Sequence, residues 1–292
     1  MSKNQKEVKL KHRLEYVGVR FAFWMFRALG KNRACNLAAW VACKVGPLLS
    51  AHKTARNNIE QAMPELSSEQ IDNILHDMWD NLGRNIGELP FIREITLTSP
   101  DVDVEGIEIL EEIKKSKTPV LFLAAHYGPW ELCAAACRYC DNDVHIVYRA
   151  ANNPLVDDYF QQNREVPECS FIPKGKRGAR ALLKALKDAG GVVLLNDQKQ
   201  NTGLPIPFFG REAMTATAIA DLAVRDRYPI IPLRAERQEN GRVKLSILPA
   251  FYAPTEGERQ EKVVELLTQI NGIYEDWIRA RPDHWFWVHN RW

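Results

Sequence analysis

Apolar and polar positions alternate along the chain in two rhythms, and each predicts its own kind of element. Residues 14–29 (LEYVGVRFAFWMFRAL) repeat at the helical period, with Lys6, Arg13, Arg20 and Arg27 every seventh position along one side and Val17, Phe21, Trp24 and Met25 opposite. ACNLAAWVACKVGPLLS (34–50) reads as a second apolar helix ending near Gly46-Pro47. Helical patterns follow at 51–62 and 67–90, the latter opened by Ser67-Ser-Glu-Gln, a capping-box signature. VDVEGIEILEEIKKSKTPVLFLAAH (102–126) gives a short strand, a helix and a strand, and HIVYRA (145–150) another strand. Gly178–Asp188 is helical, GGVVLLNDQ (190–198) is a buried strand, and Thr215–Asp226 is helical. Two strands around a turn at Asn240-Gly241 and a long amphipathic helix from Glu258 to Ala280 complete the pattern. Strands alternating with helices predict an α/β fold, a mainly parallel sheet sandwiched by helices.

Polar residues stand at the ends of three of these strands: His126, Arg149 and Asp197. In an open α/β sheet that is where ligands bind. The stretch LAAHYGPWEL (123–132) places His126 and Glu131 five apart. On a continuous helix or strand the two would diverge, so they converge only if the chain turns between them. Gly128 permits an unusual backbone, and Pro129 suits the start of a helix. The expectation is strand, turn, helix: His126 a general base at the strand end and Glu131 its carboxylate partner, holding one tautomer. No Gly-rich phosphate loop, G-x-S-x-G elbow or spaced set of metal ligands occurs, so the sequence implies no cofactor and no metal. With no protein nucleophile near His126, the expected chemistry is activation of a substrate hydroxyl and direct transfer.

Charge adds one feature. The chain carries +2 overall, but residues 1–33 hold nine Lys/Arg against Glu7 and Glu15, a net +7, so residues 34–292 carry −5. That asymmetry predicts an anionic membrane surface as a partner of the amino end, and nothing points to nucleic acid. Arg20 and Arg27 interrupt the apolar stretch, so 1–33 reads as a basic amphipathic anchor lying on the membrane, ahead of a single domain at 34–292. A second basic cluster, Lys174, Lys176, Arg177 and Arg180, precedes or opens a helix and suits acceptor phosphates or an acidic carrier protein. Six cysteines make no disulfide scaffold at this length; Cys133, Cys137 and Cys140 share one helix stripe and read as buried thiols.

HYGPWE resembles the H-x4-D/E box of the glycerolipid-type acyltransferases, in the form H-[FY]-G-N-W-E of the bacterial lipid A biosynthesis late acyltransferases, with Pro129 in place of Asn. VYRAANNPLVDDYFQQNRE resembles that branch's arginine-bearing second block, and NDQKQNTGLPIPFFGREAMTATAIADLA its D-Q…P-F-F-G block. YPIIPL carries the fourth block's proline at Pro232, and HWFWVHNRW resembles the W-x-W-x-H-x-R-W ending. The resemblance implies an acyltransferase moving a fatty acyl group from a thioester, usually acyl-acyl carrier protein or else acyl-CoA, to a lipid hydroxyl. The acceptor it implies is a 3-hydroxyacyl chain of a lipid A precursor, at the cytoplasmic face of the inner membrane. Other readings are acylation of a lysophospholipid, a glycolipid or an aryl-polyene-type lipid, or a non-catalytic lipid-binding protein. His126 and Glu131 take the catalytic roles in this resemblance. Arg149 binds a phosphate or oxyanion with Arg164 in support, and Asp197 shapes the acceptor site. The amino-terminal helix is more charged than the single span the family implies.

Overall fold

The computed structural model of the chain describes residues 8–140, 144–148, 151–164, 169–173, 176–187 and 190–292. It opens on four helices: α1 (Leu10–Leu29), α2 (Lys31–Val45), α3 (Ser50–Ala62) and α4 (Ser68–Glu88). The start of α4 is the capping box read from the sequence: Ser67 Oγ accepts from Gln70 N–H, and the Gln70 side chain accepts from Ser67 N–H. The Ala-rich face of α2 meets α4 at Gly83 and Gly87. A Cβ at either glycine would stand 2.4 or 2.6 Å from the Cα of Ala39 or Cys35. Small residues on both sides let these two backbones close up.

The α/β unit follows in chain order: β1 (Val102–Glu105), α5 (Ile107–Ser116), β2 (Val120–Ala124), α6 (Cys133–Tyr139), β3 (Val144–Tyr148), α7 (Pro154–Arg164), β4 (Cys169–Pro173), α8 (Lys176–Lys187) and β5 (Gly191–Leu195). Next come β6 (Lys199–Phe208), β7 (Arg211–Thr215), α9 (Ala218–Asp226), β8 (Ile230–Arg237), β9 (Val243–Ile247) and α10 (Arg259–Ala280). Seven strands form one sheet in the order β1-β9-β8-β2-β5-β3-β4. Every neighbouring pair in it is parallel except β8 with β9, joined through the turn at Asn240-Gly241. The expected mainly parallel sheet between helices is therefore what forms. Its centre is dry: all five residues of β2 are buried. One core lies on each face, with Leu121 and Leu123 pointing into one and Val120 and Phe122 into the other.

Two features were not anticipated. The stretch 199–215 is a hairpin, β6 against β7, turning on Phe209 and Gly210, both at positive φ (50° and 70°). The helix expected from Thr215 begins at Ala218. The second concerns α1, which is not a detached tether. Phe23 and Phe26 are buried, and Phe23 packs on Tyr159 and Phe160 of α7 at 5.1 and 5.8 Å between ring centroids. Asn153 donates to the His12 carbonyl at 2.9 Å and to Glu15 at 2.8 Å, and Arg27 pairs with Glu94. The outward face of α1 is apolar: Leu10, Leu14, Val17, Phe21 and Trp24 are each 60–74% exposed, while Met25 is half-buried. No single helix among the described residues is long and apolar enough to cross a membrane.

Candidate functional site

Strand register builds the site. β2 and β5 are adjacent and parallel, Val120 opposite Gly191 and Ala124 opposite Leu195, a constant offset of 71 residues. Carried two residues past both strand ends, that offset sets His126 beside Asp197. The side chains meet there: Nδ1 of His126 lies 2.9 Å from Oδ1 of Asp197. The indole N–H of Trp285 donates to the other carboxylate oxygen, also at 2.9 Å. Both oxygens are thus occupied, and the carboxylate has one orientation. Asp197 is fully buried, whereas the His126 side chain is one-quarter exposed, between the rings of Trp130 (5.5 Å) and Phe286 (6.2 Å).

Electrostatics keep Asp197 ionised. Burial favours the neutral acid at Asp197. The charge and hydrogen bond of His126, the charge of His289 and the Trp285 bond outweigh it, and the carboxyl pKa falls below its ordinary value. An ionised Asp197 accepts, so Nδ1 of His126 carries the proton and donates. In the neutral ring that tautomer puts the lone pair, the requirement for a base, on Nε2. Among the described residues no protein group bonds to Nε2.

This corrects one expectation. The carboxylate on Nδ1 is Asp197, from a neighbouring strand, and not Glu131. After β2 the chain runs through a turn with Gly128 at φ +54°, and Pro129 caps a short 3₁₀ turn over Trp130–Leu132. That turn carries Glu131 into the wall of a cleft shared with Lys31, Glu88, Asp101, Pro129 and Arg138. The direction change that the sequence required does occur, but it sends the glutamate to a different surface.

The carboxyl-terminal tail completes the site. Tyr127 forms an antiparallel bridge with Trp285. Gly128 N–H donates to the His284 carbonyl at 2.8 Å, and Phe286 N–H donates to the His126 carbonyl at 3.0 Å. Asn58 of α3 donates to the carbonyls of Trp287 and His289 at 2.7 and 2.8 Å. Trp285 and Trp287 are fully buried in the core. Arg291 is buried too, donating to the Met214 carbonyl and the Thr215 hydroxyl at 3.0 and 2.9 Å; burial pulls its pKa down to about 10. His289 is half-buried, yet its two ring nitrogens are sealed from solvent and unpartnered. Burial pushes its pKa down to about 4, and the opposing pull of Asp197 does not restore it.

Arg149 and Lys174 lie outside the described residues. Arg164 closes α7, and Lys176 and Arg177 open α8; their side chains lie outside the described residues, as does that of Cys137. Cys133 and Cys140 are buried in the core. Sequence reasoning missed Trp285 as the second partner of Asp197, and it missed three polar residues of α4. Asn81, Asn85 and Glu88 stand at i, i+4 and i+7 on that helix, a polar stripe visible in the sequence, and all three bond to Arg237 of β8.

Among curated proteins, none matches the chain. The family model of the bacterial lipid A biosynthesis acyltransferases matches residues 1–292, its whole length. The chain therefore belongs to the bacterial lipid A biosynthesis acyltransferase family.

Proposed function

We propose that this acyltransferase moves a fatty acyl group from an acyl carrier protein thioester to a hydroxyl on a 3-hydroxyacyl chain of a lipid A precursor, with His126 as general base. Nε2 of His126 takes the proton of the acceptor hydroxyl as its oxygen attacks the thioester carbonyl. The tetrahedral intermediate collapses, the new ester forms, and the departing sulfur takes the proton back from the imidazolium. Asp197 stabilises that imidazolium and fixes the starting tautomer, the part that the family motif suggested for Glu131. Arg149, with Arg164, is assigned to the oxyanion or a phosphate. Lys174, Lys176 and Arg177 are assigned to acceptor phosphates or the acidic carrier. The observation that carries this reading is the 2.9 Å bond between Nδ1 and a buried, doubly held carboxylate, which in the neutral ring favours the tautomer with its lone pair on Nε2. A lipid-binding protein has no need of such a base. Purified protein incubated with several acyl-carrier thioesters and candidate lipids, its products read by mass spectrometry, tests donor and acceptor together. Acylation of a lysophospholipid but no lipid A precursor would move the assignment to another lipid.

The outward face of α1 is assigned to the anionic cytoplasmic leaflet. Its exposed row of Leu10, Leu14, Val17, Phe21 and Trp24 shares the helix with the exposed cations Arg13 and Arg20, while Arg27 is engaged with Glu94. Because the opposite face of α1 packs on α7, the informative variant keeps the helix. Phe21→Ser with Trp24→Ser should release much of the protein from anionic vesicles in a sedimentation assay without lowering its melting temperature. Unchanged pelleting would remove this face from the membrane.

A further inference from the structure

We propose that Asn85 and Arg237 are positioning residues for the catalytic turn, a role that rests on the reading of His126 as the base. The turn His126-Tyr127-Gly128 has Asp197 on the imidazole side. Its backbone is held from α4. The Asn85 amide N–H donates to the Gly128 carbonyl at 2.8 Å, and its amide oxygen accepts from Nη2 of Arg237 at 2.5 Å. A guanidinium only donates. Arg237 therefore dictates which end of the Asn85 amide faces it, and so dictates that a donor faces Gly128. Arg237 is itself fixed by a bidentate pair with Glu88, 2.7 Å on each arm, and by Asn81 at 2.9 Å.

A second support runs through His284. The Arg237 backbone N–H donates to Nε2 of His284 at 3.0 Å, and Nδ1 of His284 lies 2.8 Å from Asp283. That ring is locked, and its own carbonyl receives the Gly128 N–H. Both backbone polar groups of Gly128 thus end on one network spanning α4, β8 and the tail. Space reinforces the hold: a Cβ on Gly128 would lie 2.1 Å from the Ala235 carbonyl and 3.0 Å from the His284 ring. Gly128 stands two residues past His126, so a shift of the turn moves the imidazole against Asp197.

Asn85→Asp separates positioning from bulk. It keeps the size and keeps a partner for Arg237, but it sets a carboxylate oxygen against the Gly128 carbonyl where a donor stood. Arg237→Lys keeps the charge facing Glu88 but cannot reach Glu88, Asn81 and Asn85 at once. Misplacement of a reacting group by about 1 Å costs about 10²-fold, so a kcat loss of about 10–10²-fold is expected for Asn85→Asp, with KM near wild type. The second readout needs no turnover: ring signals of ¹⁵N-histidine, with His126 identified by its disappearance in His126→Gln. The His126 signal should shift, and its titration midpoint should move, in folded Asn85→Asp or Arg237→Lys. A His126 signal and a kcat pH profile that stay at wild type in either folded variant overturn the proposal, whatever the activity. His126→Ala with normal turnover would instead sink the reading of His126 as base, and the two failures are distinguishable because the ring signals are read without turnover.

Discussion

Two histidine–carboxylate pairs lie within a few residues of the same turn and differ in their surroundings. In each, Nδ1 faces a carboxylate: His126 to Asp197 at 2.9 Å, His284 to Asp283 at 2.8 Å. In each the carboxyl group is held below its ordinary pKa despite burial, that of Asp283 at about 2. The difference lies at the other nitrogen. Nε2 of His284 accepts from the Arg237 backbone, and that ring is 2% exposed. Nε2 of His126 has no protein partner among the described residues, and its ring is one-quarter exposed. A His–Asp pair is therefore not by itself a catalytic signature. Access to the second nitrogen suits one imidazole to the proposed role of base, and occupation of it suits the other to that of a strut.

The contrast yields a graded set of tests. His126→Ala should cost the most, about 10²–10⁴-fold in kcat with the fold intact, because general-base catalysis contributes about that much; turnover near wild type when chemistry is limiting would erase the distinction between the two rings. Asp197→Asn should fall in the same range, since an amide at that position can donate to Nδ1 and so favour the tautomer that protonates Nε2. Glu131→Gln, measured beside it, should lose less. The reverse order would return the partner role to Glu131.

His284→Ala should act mainly on stability. It removes the acceptor of the Arg237 N–H and the ring beneath Gly128, and an orphaned buried donor costs about 1–3 kcal/mol. Denaturant melts should show that loss directly, and a kcat loss larger than that of Asp197→Asn would contradict the strut.

The smallest effect belongs to a third ring, His289. Its folded pKa of about 4 lies below the ordinary 6.5, so between those values the unfolded chain binds a proton that the folded chain refuses. Stability should therefore fall as pH drops from about 6.5 to about 4. His289→Phe keeps a ring between Trp285 and Phe286 and removes the two unpartnered nitrogens. It should flatten that part of the melting-temperature profile. An unchanged slope would assign the acid sensitivity to other groups.

Much of the fold was legible in the sequence because the signals were local. The capping box at Ser67, the strand–helix–strand of 102–126 and the turn at Asn240-Gly241 each depend on residues a few positions apart, and each formed where it was read. The β6–β7 hairpin was missed because Pro205 and Pro207 interrupt its alternation, and its ladder shifts register between Lys199 and Leu204. The apolar row on α1 was legible as a period. That the opposite face of α1 clasps α7 was not, since α7 lies more than a hundred residues away.

At the site, the sequence by itself determined the parts: a histidine after one buried strand, a carboxylate after another, and a glycine where the chain must turn. Which carboxylate meets His126 was decided only by the tertiary structure. His126 and Glu131 share a motif, but a 3₁₀ turn sends Glu131 to another cleft. His126 and Asp197 are 71 residues apart, and they meet because β2 and β5 are neighbours at that same offset. Strand order and register are properties of the assembled sheet, set by which apolar faces bury together across the whole chain, and no local pattern carries them.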